Sequence, residues 1–215
     1  MLSERQLMFL EKFKGSGFLV NNFYLTSGAA LGEFYLRHRK TQGLDFFSEK
    51  DFSLLDIDLF INDIKGKLGI EKIDFEQGYK RNFFFLHFPG EVIKIEFTYF
   101  PFPRLERGTT ELGVQIDSLA DIAANKVFSV YQRTKAEDFI DLFFICKGKG
   151  ILFRDLIFKT RTKFGWQFDP VQLGTKLLAV KEVVDYPMTI KEFSQSDLEQ
   201  FFIDEAVKLK DEVLF

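Results

Sequence analysis

The stretch from Tyr24 to Phe47, YLTSGAALGEFYLRHRKTQGLDFF, holds the most chemistry for its length. A turn of small residues, Ser27-Gly28-Ala29, separates an extended segment from a helix. The basic run Arg37-His38-Arg39-Lys40 follows, and the next strand carries Asp45. Small residues at a turn that opens a helix let backbone N–H groups approach a phosphate oxygen near the positive end of the helix dipole. A carboxylate on the adjoining strand could hold a divalent cation that bridges such phosphates. The same turn is also a common plain connection, and cations at a helix end equally suit the negative end of its dipole.

Further along, Val92-Ile93-Lys94-Ile95-Glu96-Phe97-Thr98 alternates and sends Lys94, Glu96 and Thr98 to one strand face, either as part of a site or as a half-exposed surface. Lys126 falls on an apolar helical stripe with Leu119, Ile122, Ala123 and Val130, and Arg133 follows seven residues on. Two cations there either snorkel to water or face a ligand. Asp138 and Asp141 stand at i and i+3. Asp56-Ile57-Asp58 leads into a helical pattern and reads as helix surface, His87 as a packed strand histidine, and Cys146 as core.

With these residues in view, the run from Tyr24 to Phe47 resembles the signature of the AbiEii-type nucleotidyltransferase toxins of bacterial toxin–antitoxin systems. That signature is close to GGTAL, a helix, HR, a Ser or Thr, then an Asp-x-Asp strand. KVFSVYQRTKAEDFIDL, from Lys126 to Leu142, resembles the family's lysine, arginine and RD-x-x-D-like group in order. The resemblance implies a nucleotidyltransferase-like mixed sheet and transfer of a nucleotide from a nucleoside triphosphate to RNA, most plausibly a tRNA end. It implies magnesium or manganese on Asp45 and Glu96, with Asp45, Lys126 and Asp138 as catalytic residues. Ser27, Gly28, Arg39, Thr41, Lys126 and Arg133 would meet the nucleotide, and an antitoxin protein would be a partner. Two-metal displacement at phosphorus is the chemistry such carboxylates serve.

The chain departs from that pattern. Gly43 stands where the first Asp belongs, Ser27 replaces the first glycine, Ala29 the usual hydroxyl residue, and Glu137 the usual arginine. A catalytically impaired relative that binds a nucleotide or a protein partner is therefore the alternative. Gly43→Asp is expected to rebuild the pair at little steric risk if that face opens into a cleft. Glu49 or Asp51 are the groups that could substitute for the missing ligand.

The elements that must position these residues follow from periodicity. Ser3 and Gln6 have capping-box spacing for a helix to Phe13. Phe18 to Leu25 reads as extended, Ala29 to Arg37 as helix, Leu44 to Phe47 as strand and Asp51 to Leu68 as helix. Tyr79 to Phe88 and Glu91 to Phe100 form a strand pair across Pro89-Gly90. Residues 101–113, rich in Pro and Gly, are the candidate boundary between an α/β lobe (1–105) and a helical lobe (106–215) packed against it. In the second lobe Leu119 to Arg133 is helical, Thr134 and Glu137 cap a helix through Cys146, Asp169-Pro170 opens another, and Ser196 with Glu199 opens the last.

The element pattern makes this an α/β (α+β) protein, and the composition is that of a soluble globular one. The chain has 215 residues, 46% hydrophobic and 28% charged, with a net charge of −3, so no global field draws it to nucleic acid. Its 29 Phe against one Trp and six Tyr indicate a core rather than a base-stacking surface. One Cys and two His disfavour disulfides and zinc. Charges at Glu4, Arg5, Glu11 and Lys12, and the lack of an apolar run near the ~18 residues of a membrane span, point to the cytoplasm.

Overall fold

A computed structural model describes residues 1–209. Seven strands form one mixed sheet in the order β3-β4-β5-β2-β1-β7-β6. These are β1 (Tyr24–Thr26), β2 (Gly43–Ser48), β3 (Lys72–Gly78), β4 (Arg81–Phe88), β5 (Glu91–Tyr99), β6 (Thr109–Glu111) and β7 (Val114–Ile116). The pairings that matter most are β2 with β5, parallel, and β1 with β2, antiparallel. Their register sets Thr26 beside Asp45, Asp45 beside Glu96 and Gly43 beside Lys94.

Alternation then divides the sheet. Phe46 and Phe97 stack at 5.3 Å, and Phe13 stacks on Phe46 at 4.3 Å. Phe13 belongs to α1 (Glu4–Phe13), which has the expected Ser3–Gln6 capping box, and Phe9 of the same helix meets Phe60 of α4 (Leu54–Leu68). Since Phe46 and Phe97 face these helices, Asp45 and Glu96 face the other way. That second face borders a cavity whose other walls include α5 (Leu119–Gln132) and the end of α7 (Phe153–Phe164). The other α-helices after β7 are α6 (Ala136–Lys149), α8 (Pro170–Leu178) and α9 (Gln195–Lys208), of which α6 packs on α5.

Several expectations change in the folded chain. Within Phe18 to Leu25, the Ser16 hydroxyl accepts from Leu19 N–H, so a short α2 (Gly17–Asn22) precedes β1. The next helix is α3 (Ser27–Ala30) continued by a π-helical turn, Leu31–Leu36, that ends at Arg37 with φ 51°. β3 is an exposed edge strand whose charged residues hide its period, and α7 had no cap signal to mark it. The 101–113 segment contains β6, which turns into β7 through Leu112 and Gly113 at φ 53° and 75°. A leucine in that conformation is not a turn signal. No Thr134 cap forms: Lys135 holds the N-cap position of α6, and Ala136 N–H donates instead to Asp185. Ser194, not Ser196, caps α9, whereas Asp169 caps α8 as expected.

One buried carboxyl ties β1 to the end of β7. Asp117 accepts from the Thr26 hydroxyl at 2.7 Å, and its own N–H donates to Leu25 O at 2.9 Å. Burial raises its pKa to about 7, although Lys163 pulls the other way. The unfolded value is about 3.9, so ionisation destabilises the native state as pH rises between about 4 and 7. Asp117→Asn keeps the shape without the charge. It should be more stable than the parent chain in urea at pH 8, with the advantage vanishing near pH 4; parallel pH profiles of the two proteins would contradict this.

Candidate functional site

A cavity of about 980 Å³ opens between the sheet face carrying Asp45 and Glu96, α5, the end of α7 and residues 185–188. On α5 it is lined by Asn125, Phe128, Ser129, Gln132 and Arg133, whose spacing traces one helical face. Six Lys or Arg side chains line the cavity (Arg39, Lys40, Arg81, Lys94, Arg133, Lys135), against four carboxylates (Asp45, Glu96, Glu137, Asp185), so it is locally cationic in an acidic protein. Phe47, Phe85, Phe100, Phe128 and Phe164 also line it. The phenylalanines are therefore core in the main, but a subset forms a cavity wall.

The Ser27-Gly28 turn lines the cavity. Ser27 holds φ 60°, a left-handed conformation that favours glycine, and Gly28 lies against the Arg39 guanidinium. A Cβ on Gly28 would stand 2.4 Å from Arg39 Nη2. Arg39 is fixed there by Asp141: Nε donates to Oδ1 at 2.6 Å and Nη2 to Oδ2 at 2.8 Å. Asp141 also takes His38 Nε2 at 2.7 Å and Lys126 Nζ at 2.7 Å. Lys126 bonds Asp138 at 2.7 Å, and Arg133 Nε bonds the other Asp138 oxygen at 2.8 Å. Burial alone would raise the Asp141 pKa, but Arg39 and Lys126 hold it well below the usual carboxylate range. Burial works against the Lys126 charge, and Asp138 and Asp141 more than offset it, leaving its pKa raised.

Lys126 and Asp138 thus meet each other from consecutive helices, and neither lines the cavity. They lie behind its wall, 4% and 0% exposed, because each buried charge needs the other in a low-dielectric interior. Arg133 reaches both places, pairing with Asp138 while lining the cavity. Thr41 lines it too, its hydroxyl donating to Gly43 O at 3.0 Å. His38 is fully buried, His87 pairs with Asp74 at 2.8 Å, and Cys146 is core, with burial pushing its thiol up to about 12.

Asp45 and Glu96 share the cavity face, as their pairing requires. Their charge is already answered. Lys94 Nζ lies 3.2 Å from Asp45 Oδ1 and 3.2 Å from Glu96 Oε2. Arg81 grips Glu96 at 2.7 and 3.0 Å, and the Thr98 hydroxyl donates to it at 2.7 Å. Burial raises the Asp45 pKa against the pull of Lys94; at Glu96 the opposing Arg81 and Lys94 prevail and lower it. Glu49 and Asp51 do not line the cavity and pair with Arg104 and Lys80 instead. Among the described residues no three His, Cys, Asp or Glu side chains are grouped to hold a metal ion. Two carboxylates, one of them with both oxygens engaged by Arg81, do not fit a paired magnesium or manganese centre.

Arg81 was absent from the candidates drawn from sequence, and Lys94 was placed on the candidate strand face without a role of its own. Both were accessible to it: Lys94 shares its strand face with Glu96, and the Pro89-Gly90 turn fixes the β4–β5 register that sets Arg81 opposite Thr98.

The seven-stranded mixed sheet with its flanking helices is a nucleotidyltransferase-like fold. The family model "Nucleotidyl transferase AbiEii toxin, Type IV TA system" matches residues 15–212, and the chain belongs to that family. It is 31% identical over 153 residues to the uncharacterized protein aq_aa25 of Aquifex aeolicus (strain VF5), covering 69% of each sequence. Two Helicobacter pylori crystal structures share the fold at 19% identity. A candidate nucleotidyltransferase superposes with TM-score 0.61 over 98% of this chain and 97% of its own. JHP933 does so with 0.60 over 99% and 94%.

The Gly43→Asp expectation needs correction. A Cβ at Gly43 would lie 2.8 Å from the Lys94 carbonyl oxygen and 3.1 Å from Lys94 Cε, so although the face borders the cavity the neighbouring strand leaves no room for a side chain there. Overpacking of this kind costs roughly 1–3 kcal/mol. Gly43→Asp should lower the urea midpoint accordingly without raising nucleotide transfer. Unchanged stability together with a large gain in transfer would refute that.

Proposed function

We propose that this protein binds a nucleoside triphosphate in the cavity, and that its transfer of a nucleotide to an RNA acceptor, such as a tRNA end, is slow. The observation that carries the reading is the pairing of two surfaces in one cavity. Arg39, which lies against Gly28, lines the cavity together with Lys94 and Arg133, and Phe100, Phe128 and Phe164 line the same space. The first set suits a polyphosphate and the second an apolar nucleobase face. Family membership supports the triphosphate as ligand.

Slow transfer follows from the acidic pair. When a divalent metal is bound at such sites it supplies several kcal/mol of stabilisation to the transferring group. Gly43 removes one ligand, and Asp45 and Glu96 are engaged by Lys94 and Arg81. What remains for this chain's own residues is binding and orientation. Arg39 and Arg133, held by Asp141 and Asp138, present fixed cations to the phosphates. The reading places the reaction in the cytoplasm and leaves the family's antitoxin-like protein as a candidate partner. None of the described helices is long and apolar enough to cross a membrane.

Each labelled nucleoside triphosphate, incubated with the protein, magnesium or manganese, and total RNA, tests this. Saturable binding is expected, weakening in Arg133→Ala and at high salt, with label entering RNA orders of magnitude more slowly than the ~10 s⁻¹ of a typical enzyme. Rapid labelling of RNA would overturn the slow-transfer reading, and failure to bind any triphosphate would overturn the whole.

A further inference from the structure

We propose that the Lys94 ammonium is the resident cation of the Asp45–Glu96 pair, taking the place of a divalent ion and offering its remaining N–H to a nucleotide phosphate. Three observations meet at this residue. Its Nζ lies 3.2 Å from an oxygen of each carboxylate, hydrogen-bonded to Glu96 and ion-paired with Asp45, so one charge serves both. Gly43 stands beside it in register, and the Lys94 stem lies across Gly43, with Cε 3.1 Å and Cβ 3.3 Å from where a Gly43 Cβ would be. Finally, Arg81 supplies the second charge that Glu96 needs. Two carboxylates thus face two side-chain cations, and no net charge remains to attract a divalent ion.

The absence of a side chain at position 43 is what gives the lysine its path. A carboxylate there would meet the Lys94 stem and backbone. The lost ligand and the acquired cation are therefore one structural change: the glycine removes an acid and admits an ammonium. An ammonium has three donors, of which Glu96 takes one, while Asp45 Oδ1 stands at ion-pair distance without a hydrogen bond. A further N–H is available to the cavity that Lys94 lines. That last step rests on reading the cavity as a nucleotide site; the exclusion of metal does not.

Manganese alone is the probe for the first part, followed by electron paramagnetic resonance of the free ion and by water proton relaxation. The parent chain should show no saturable site below about 1 mM. Lys94→Gln should gain one, at least about tenfold tighter, and the double variant Lys94→Gln with Asp45→Asn should lose it again. Submillimolar manganese binding by the parent chain that Asp45→Asn abolishes would overturn the proposal. So would a Lys94→Gln protein of native circular dichroism that gains no site.

A fluorescent nucleoside triphosphate tests the second part. The parent chain should bind it equally in chelator and in magnesium. Lys94→Gln should bind about tenfold more weakly in chelator and recover with manganese. Equal affinity of the two proteins in chelator would overturn the phosphate contact. Failure of every form to bind the triphosphate would overturn the reading of the cavity instead, and the manganese result would still decide the role of Lys94.

Discussion

The helical wall of the cavity depends on one buried carboxylate. Asp141 is fully buried on α6 and accepts Arg39 through both oxygens, with His38 and Lys126 on the same two atoms. Burying a lone carboxylate is prohibitive, and burying it among three partners is tolerated only when the geometry is held on all sides. The partners come from different parts of the chain: His38 and Arg39 from the segment after the π-helical turn, and Lys126 from α5. The carboxylate therefore fixes the relation between the strand-rich half and the helices. The same segment is clamped from outside, where His38 O accepts from Ile190 N–H and Lys40 N–H donates to Met188 O.

This arrangement explains why charged residues near the cavity divide into two kinds. Asp141, Asp138 and Lys126 pair with one another out of reach of a ligand, with His38 hydrogen-bonded to Asp141. Arg39 and Arg133 share that network but keep a face on the cavity, so their positions are set before any ligand arrives. A second, independent balance operates on the sheet, where Lys94 and Arg81 answer Asp45 and Glu96. The cavity is thus organised by ion pairs of the protein's own, and its electrostatics differ from those of a site built around metal ligands.

The sequence carried the parts of this picture that depend on order along the chain. The turn, the helix after it, the β2 and β5 strands, and the sharing of one face by Asp45 and Glu96 follow from local pattern and period. Where a side chain's role depends on what lies across from it, pattern was insufficient. Lys126 lies on an apolar stripe whether it snorkels, faces a ligand or meets Asp138, and only the packing of α5 on α6 decides. Gly43 reads as a missing ligand in one dimension; in three it is also the space the Lys94 stem crosses. The exposed edge strand β3 was illegible because no buried face imposes a period on it.

The direct test of the Asp141 account is the equilibrium unfolding of Asp141→Asn beside the parent chain across pH. Asp141 has a folded pKa depressed below its unfolded value of about 3.9, so its ionic contribution is complete at neutral pH and is lost as pH falls through the folded pKa. Removing this charge leaves Arg39 without its bidentate partner, a change expected to cost about 3–5 kcal/mol at pH 7. The account predicts a difference of that size at pH 7 that narrows below pH 4. A difference under about 1 kcal/mol at pH 7, the range of an ordinary surface ion pair, or one that does not narrow in acid, would contradict it.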